Sequence, residues 1–260
     1  MLTGCGSRSS AASCESSVVS CGNRRPTTDP VIGRSLFLIL CSIISRMPER
    51  PVAHDVLLVF AKKPEPGAVK TRLAKEIGAE QAAEIYRRMA EAVWAGTASG
   101  AYDRWLVFEP RAEERAMRKW LPGAQAYAPQ SSGDLGQRLR EAFRQAFDSG
   151  ARAVAVIATD APEVTSRDIH CAFQLLSSGC RSAIGPCPDG GYWLLALSEF
   201  REDVFDGIPW SSSSVFDETL ARLRGDHGAP GILRKLRDVD RLSDLMDLGP
   251  PWKQWAERLK

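Results

Sequence analysis

Val154–Ala158 is a continuous apolar run of Val, Ala, Val, Ile and Ala, too short for a stable helix and lacking the alternation of a half-exposed strand. Such a run reads as a strand buried on both faces, the situation of a sheet with helices packed on either side. Val56–Ala61 repeats the signature near the start of the body. Helical and strand patterns alternate around these two runs. Ala79–Ala98 places Ile85, Met89 and Val93 on one helical face. Trp105–Phe108 reads as a strand and Ala112–Trp120 as a helix. Gly133-Asp134 opens a third helix with Leu135, Leu139, Phe143 and Phe147 on one stripe. Thr165–Ser177 follows the central run as a helix capped by Thr165 or Ser166. Ser182–Gly185 and Tyr192–Leu197 are strands around a glycine turn, Ser212–Arg224 is a helix, Ile232–Leu236 is short and extended, and Asp240–Leu248 is a last helix ended by Gly249-Pro250-Pro251.

Alternating β and α elements predict an α/β fold with a mostly parallel sheet, right-handed crossovers, helices on both faces and a ligand crevice at the carboxyl ends of the strands. The turn at Gly190-Gly191 is too short for a helical crossover, so one antiparallel element is expected there. The predicted organisation is one domain over residues 51–260, preceded by an extension over 1–50. Residues 1–30 are rich in Ser, Gly, Thr and Arg without an apolar period and are expected to be disordered. Ser35–Ile44 is apolar but about half the length of a membrane span, and Met47 is the expected native start. No membrane span is expected.

The net charge of +2 conceals an asymmetry. Arg8, Arg24, Arg25, Arg34, Arg46 and Arg50 face only Glu15, Asp29 and Glu49 in the first 50 residues, so the body is near neutral and nucleic acid is not an expected partner. Cys171, Cys180 and Cys187 lack C-x-x-C spacing, which excludes a zinc knuckle and a disulfide framework and points to a reducing, cytoplasmic compartment.

Five stretches carry chemistry. Phe60–Ala74 (FAKKPEPGAVKTRLA) leaves the first strand with Lys62, Lys63, Lys70 and Arg72 around Gly67, and with Thr71 beside them. Cations and a glycine after a buried strand suit a polyphosphate, whereas a Walker A loop would need glycine directly before Lys70. Asp160 closes the central strand in Thr159-Asp160-Ala161-Pro162 and is the first candidate ligand for Mg²⁺ or Mn²⁺. In Gly133-Asp134-Leu135-Gly136-Gln137-Arg138, capping by Asp134 and a one-turn pair with Arg138 explain two residues, and Gly136 leaves room for a base or ribose. Asp189, Gly190, Gly191, Tyr192 and Trp193 form ordinary hairpin chemistry or a surface for the acceptor, with Trp210 a core residue or a pocket wall. Asp240 reads as the cap of the last helix, and Asp238 as a second metal ligand. His54, His170 and His227 stand in unrelated contexts, so a Ser/His/Asp triad has no support.

Taken in order, AKKPEPGAVKTRL, GDLGQRL, TDAP, GPCPDGGYWLL, IPWSS and the DVDR stretch resemble a bacterial family of glycosyltransferase-A-fold proteins over about residues 55–248. That family is similar to 2-phospholactate guanylyltransferase and the molybdenum-cofactor guanylyltransferases, and its members are usually labelled glycosyltransferases, some linked to radical-SAM/selenodomain clusters. The resemblance implies a half-Rossmann nucleotide-binding sheet, donor phosphates at Lys62–Arg72, base or ribose near Gly133–Arg138 and metal at Asp160. It implies a transferase with a nucleotide donor and a small-molecule acceptor. Glycosyl transfer is the primary expectation, with Lys70, Arg72, Asp160 and Asp189 in catalytic roles. Nucleotidyl transfer with release of pyrophosphate is the alternative, because Thr159-Asp160-Ala161-Pro162 offers one carboxylate where a sugar-nucleotide transferase typically has Asp-x-Asp.

Overall fold

The computed structural model describes residues 54–225 and 228–258. The expectations for residues 1–50, including Met47, lie outside the described residues. The chain runs through β1 (Asp55–Lys62), α1 (Thr71–Ile77), α2 (Ala79–Gly96), β2 (Asp103–Glu109), α3 (Glu114–Trp120) after a short 3₁₀ turn, β3 (Ala126–Pro129), α4 (Leu135–Asp148) and β4 (Ala153–Ala158). It continues through α5 (Ser166–Ser177), β5 (Ser182–Pro186), β6 (Tyr192–Leu197), α6 (Val215–Arg224), β7 (Gly231–Ile232), α7 (Leu242–Asp247) and α8 (Trp252–Arg258).

The strands form one sheet in the order β3-β2-β1-β4-β6-β5-β7. β1 pairs in parallel with β2 and β4, so the two apolar runs lie side by side at its centre. Val56, Leu58 and Phe60 point into one core layer with Phe143 of α4 and Leu223 of α6. Leu57, Val59 and Ala61 point into the other with Val93 of α2, Met117 of α3 and Phe173 of α5. Alternate residues of one strand thus fill opposite layers, which is why the run reads as continuously apolar. β6 is antiparallel to both β4 and β5, which places the expected antiparallel element between them. A third cluster joins α1 and α2 to Val239, Leu245 of α7 and Ala256 of α8.

Four boundaries differ from the sequence expectation. β3 is short, half-exposed and ends in proline, so its pattern is weak. α6 begins at Val215 rather than Ser212, with Ser214 in the N-cap position at φ −98° and ψ 0°. Beyond Pro251 the chain resumes as α8, anchored by the buried Ala256; proline at a helix start is compatible with the missing N–H. Asp240 does not cap the last helix: Arg241 occupies that position, and the Asp244 carboxylate accepts from the N–H groups of Asp240 and Arg241 at 2.9 and 2.7 Å. Among the described residues no helix is long and apolar enough to cross a membrane.

Candidate active site

The loop after β1 crosses the carboxyl edge of the sheet and turns into α1 at Lys70, whose backbone is left-handed with φ 47° and ψ 48°. Its neighbours fix that turn, since Val69 and Leu73 are buried in the cluster beneath. The Lys70 side chain is 5% exposed, and its Nζ lies 2.8 Å from Asp160 Oδ1 and 3.2 Å from Asp240 Oδ1. Burial alone would favour the neutral amine, but the charges of Asp160 and Asp240 outweigh it and hold the Lys70 pKa above its ordinary value. Arg72 Nη1 meets Asp240 Oδ2 at 2.8 Å. For Asp240, burial opposes ionisation, yet Lys70 and then Arg72 keep its pKa below the usual carboxylate range. A buried ammonium between two carboxylates, at the ends of the two central strands, is a preorganised charge array.

Two backbone devices set its geometry. Tyr86 of α2 receives the Lys62 N–H at 2.8 Å, and its hydroxyl shares a 3.0 Å bond with Thr159 Oγ1, tying β1 to β4 just where both leave the sheet. Burial first, and then the charge of Asp160, push the Tyr86 phenol up to about 12, so it stays a neutral hydrogen-bonding group. On the other side the Val239 N–H donates to the Asp160 carbonyl at 2.9 Å. With Val239 buried, its two flanking aspartates diverge, Asp240 toward Lys70 and Asp238 toward the β5–β6 turn.

There Asp238 meets Asp189 and Cys187, with one ligand atom of each within 4.8 Å of the others. Burial, then the charges of Asp189 and Asp240, push the Asp238 carboxyl up to about 6. The same burial and nearby carboxylates push the Cys187 thiol up, so it remains protonated and is a poor partner for a hard cation. The two carboxylates, with Asp160 on the wall of the same small cavity, fit a cation such as Mg²⁺ or Mn²⁺ that keeps several waters and takes phosphate oxygens.

Two larger cavities meet at this array. The first, about 610 Å³, is lined by Lys62, Lys70, Thr71, Arg72, Gly133, Asp134 and Arg138 among others. The second, about 570 Å³, is bounded by Asp160, Asp189, Asp238, Gly191, Tyr192 and Trp210 among others. Phe60, Arg72, Leu135, Ala158, Asp160 and Asp240 border both.

Some of the residues expected at the site lie elsewhere or have other roles. Lys63 turns away to Glu65 and Glu113, at 2.8 and 3.0 Å, and is not among the residues lining the first cavity. Gly67 also stands outside that lining; its φ of 81° rather than close packing accounts for the glycine. Gly136 leaves no space for a base, because the Trp210 indole already rests on it, and a Cβ there would collide with the indole nitrogen. Asp134 caps α4 through the Gln137 N–H at 2.8 Å. Arg138 pairs with Glu109 at 2.9 Å rather than with Asp134 and bonds the Gly133 carbonyl at 3.0 Å. Burial would raise the Glu109 carboxyl, but Lys62 and Arg138 together hold it below the usual range.

Gly190 is packed against the Ser213 carbonyl with φ 90°, and the Gly190 carbonyl accepts from the Phe216 N–H at 2.8 Å. Gly190→Ala would meet backbone and an unfavourable dihedral together, and is expected to lower unfolding free energy by about 2 kcal/mol or more; urea denaturation of the variant checks this. Tyr86, Thr159, Cys187 and Asp240 were not singled out as site residues from sequence. A tyrosine on the buried stripe of α2 and a carboxylate two residues from Asp238 were the available signals.

A mostly parallel sheet with one reversed strand, helices on both faces and the crevice at its carboxyl edge is a nucleotide-diphospho-sugar transferase-like fold. Residues 92–212 match a family model described as an uncharacterized protein conserved in bacteria, DUF2064. A solved structure from Desulfovibrio desulfuricans G20, described provisionally as a nucleotide-diphospho-sugar transferase, is 29% identical and covers 80% of this chain and 97% of its own, with a TM-score of 0.74. Rv0371c from Mycobacterium tuberculosis H37Rv is more distant: 13% identity, TM-score 0.49, 80% of this chain and 100% of that one. A 4-diphosphocytidyl-2C-methyl-D-erythritol synthase from Anaerococcus prevotii DSM 20548 gives 9% identity, TM-score 0.49, 74% of this chain and 92% of that one. No curated protein sequence matches the chain.

Proposed function

We propose that this chain is a transferase that uses a nucleotide-activated donor, and specifically a glycosyltransferase acting on a nucleotide-diphospho-sugar and a small acceptor. The observation that carries the reading is the placement of the Lys70 ammonium, buried between Asp160 and Asp240 where the two cavities join. In this reading the donor phosphates lie in the first cavity against Lys62, Lys70, Thr71, Arg72 and Arg138, with the ribose toward Gly133 and Leu135. Lys70 and Arg72 offset the charge that develops on the leaving nucleotide. Asp189 and Asp238, with Asp160 adjacent, would hold Mg²⁺ or Mn²⁺, which adds positive charge at the same phosphates when bound. The acceptor enters the second cavity beside Tyr192 and Trp210. The free cysteines Cys171, Cys180 and Cys187 support a cytoplasmic setting.

The second reading, nucleotidyl transfer from a nucleoside triphosphate, draws on one feature. The strand-end carboxylate Asp160 is partnered by a lysine, and no second aspartate adjoins it in sequence. Incubation with Mg²⁺ or Mn²⁺ and panels of sugar nucleotides and nucleoside triphosphates separates the two: release of nucleoside diphosphate supports glycosyl transfer, whereas pyrophosphate from triphosphates alone overturns it. Asp160→Asn is expected to lose activity while keeping its fold by circular dichroism, and full activity in that variant would remove Asp160 from the mechanism.

A further inference from the structure

The second cavity has an unusual balance of groups. Four carboxylates, those of Asp160, Asp189, Asp238 and Asp240, border it, while Arg72 is the one cation among its described lining residues. Arg72 is already joined to Asp240 at 2.8 Å, and Lys70 serves Asp160 and Asp240 from the first cavity. A divalent cation at Asp189 and Asp238 would engage the remaining pair. The charged groups are thus committed to one another, to the donor and to the metal.

What the cavity offers beyond them is uncharged. The Trp210 ring is half-buried on Gly136 and forms one wall with Leu135 and Leu139. Trp193 is buried in the core, and its indole N–H is already given to the Arg234 carbonyl at 3.0 Å, so it adds no free donor to the lining. Ser211–Ser213 supply hydroxyl groups along the rim. A phosphate or carboxylate on the acceptor would stand among like charges without a cation of its own, an arrangement that disfavours binding. An ammonium group would find its carboxylates taken.

We infer that the second cavity selects an uncharged, polyhydroxylated acceptor of the polyol or glycoside class, held by ring faces and serine hydroxyls, and rejects phosphorylated, carboxylated and amino acceptors. The inference rests on the proposed transferase reading for calling the occupant an acceptor and for the divalent cation that engages Asp189 and Asp238.

Saturation-transfer NMR on the full chain with Mg²⁺ tests it with methyl α-glucoside, the 6-phosphate of that glucoside, and glucosamine. The neutral glucoside is expected to bind at least about tenfold more tightly than either charged probe. Trp210→Ala should remove its signal, and Ser212→Arg, which adds a cation at the rim, should raise affinity for the phosphate about tenfold. Equal or tighter binding of the phosphate or the amine to the unaltered protein overturns the inference, as does the lack of any glucoside signal from folded protein. Calorimetric titration with UDP and GDP in the same buffer reports on the first cavity separately. Diphosphate binding without glucoside binding defeats this inference alone, and glucoside binding without diphosphate binding defeats the donor reading alone.

Discussion

Lys70→Met is expected to slow donor turnover by about two to three orders of magnitude, the usual cost of removing one preorganised charge from a transition-state array. Its ammonium is the only group that touches both Asp160 and Asp240 among the described residues. The companion variant Lys70→Gly separates charge from backbone. Glycine takes the φ of 47° without strain, whereas methionine inherits the strained turn. Both should lose turnover alike, but the glycine variant should unfold at higher urea concentration than the methionine variant. Removing the lysine also leaves two carboxylates facing each other; because Asp160 and Asp240 are 39% and 38% exposed, water limits the stability cost to about 1–3 kcal/mol. Turnover by Lys70→Met within a few-fold of the unaltered protein would remove Lys70 from catalysis.

The second large effect concerns Asp238. Its carboxyl is raised to about 6 in the folded chain, above the ordinary aspartate value of 3.8, so the folded state holds this proton more tightly than the unfolded state does. The favourable contribution is therefore complete below the ordinary aspartate value and is lost as pH rises through about 6. Above that, an ionised Asp238 faces Asp189 and Asp240 at a penalty of about 1–2 kcal/mol, allowing for its partial exposure. Asp238→Asn should accordingly raise the metal-free melting temperature at pH 7.5 by a few degrees and leave it nearly unchanged at pH 4. Millimolar Mg²⁺ or Mn²⁺ should stabilise the unaltered protein more at pH 7.5 than at pH 5, and should do little for Asp238→Asn. Equal metal stabilisation at both pH values would show that cation binding does not draw on this carboxylate.

Most of the architecture was legible because burial on both faces leaves an unmistakable mark on β1 and β4, and because α2 and α4 carry clean apolar stripes. β3 and α8 were not, for opposite reasons. β3 is held by pairing with β2 while its side chains stay half-exposed, so no apolar alternation records it. α8 follows a Pro-Pro pair that locally reads as a stop. In the candidate site, Lys70, Asp160 and Asp238 are visible as chemistry in loops after strands. Asp240 was hidden because its partners Lys70 and Arg72 stand about 170 residues away, while a local role, capping, was at hand. Gly136 shows the same limit: the sequence displays a missing side chain, and only the fold reveals that Trp210 fills the gap.

The reversed strand β6 has one more implication. Because it runs against β4 and β5, its beginning lies at the edge where its neighbours end, and the short turn from Cys187 to Gly191 hangs over the crevice from two strands already secured in the sheet. Side chains of this turn can change without disturbing any parallel crossover, although Gly190 itself is held by the Ser213 carbonyl and the Phe216 N–H. Among related chains, variation at this edge of the crevice should therefore fall on turn positions other than Asp189 and Gly190, while the loop after β1 is held by the contacts of Lys70 with Asp160 and Asp240.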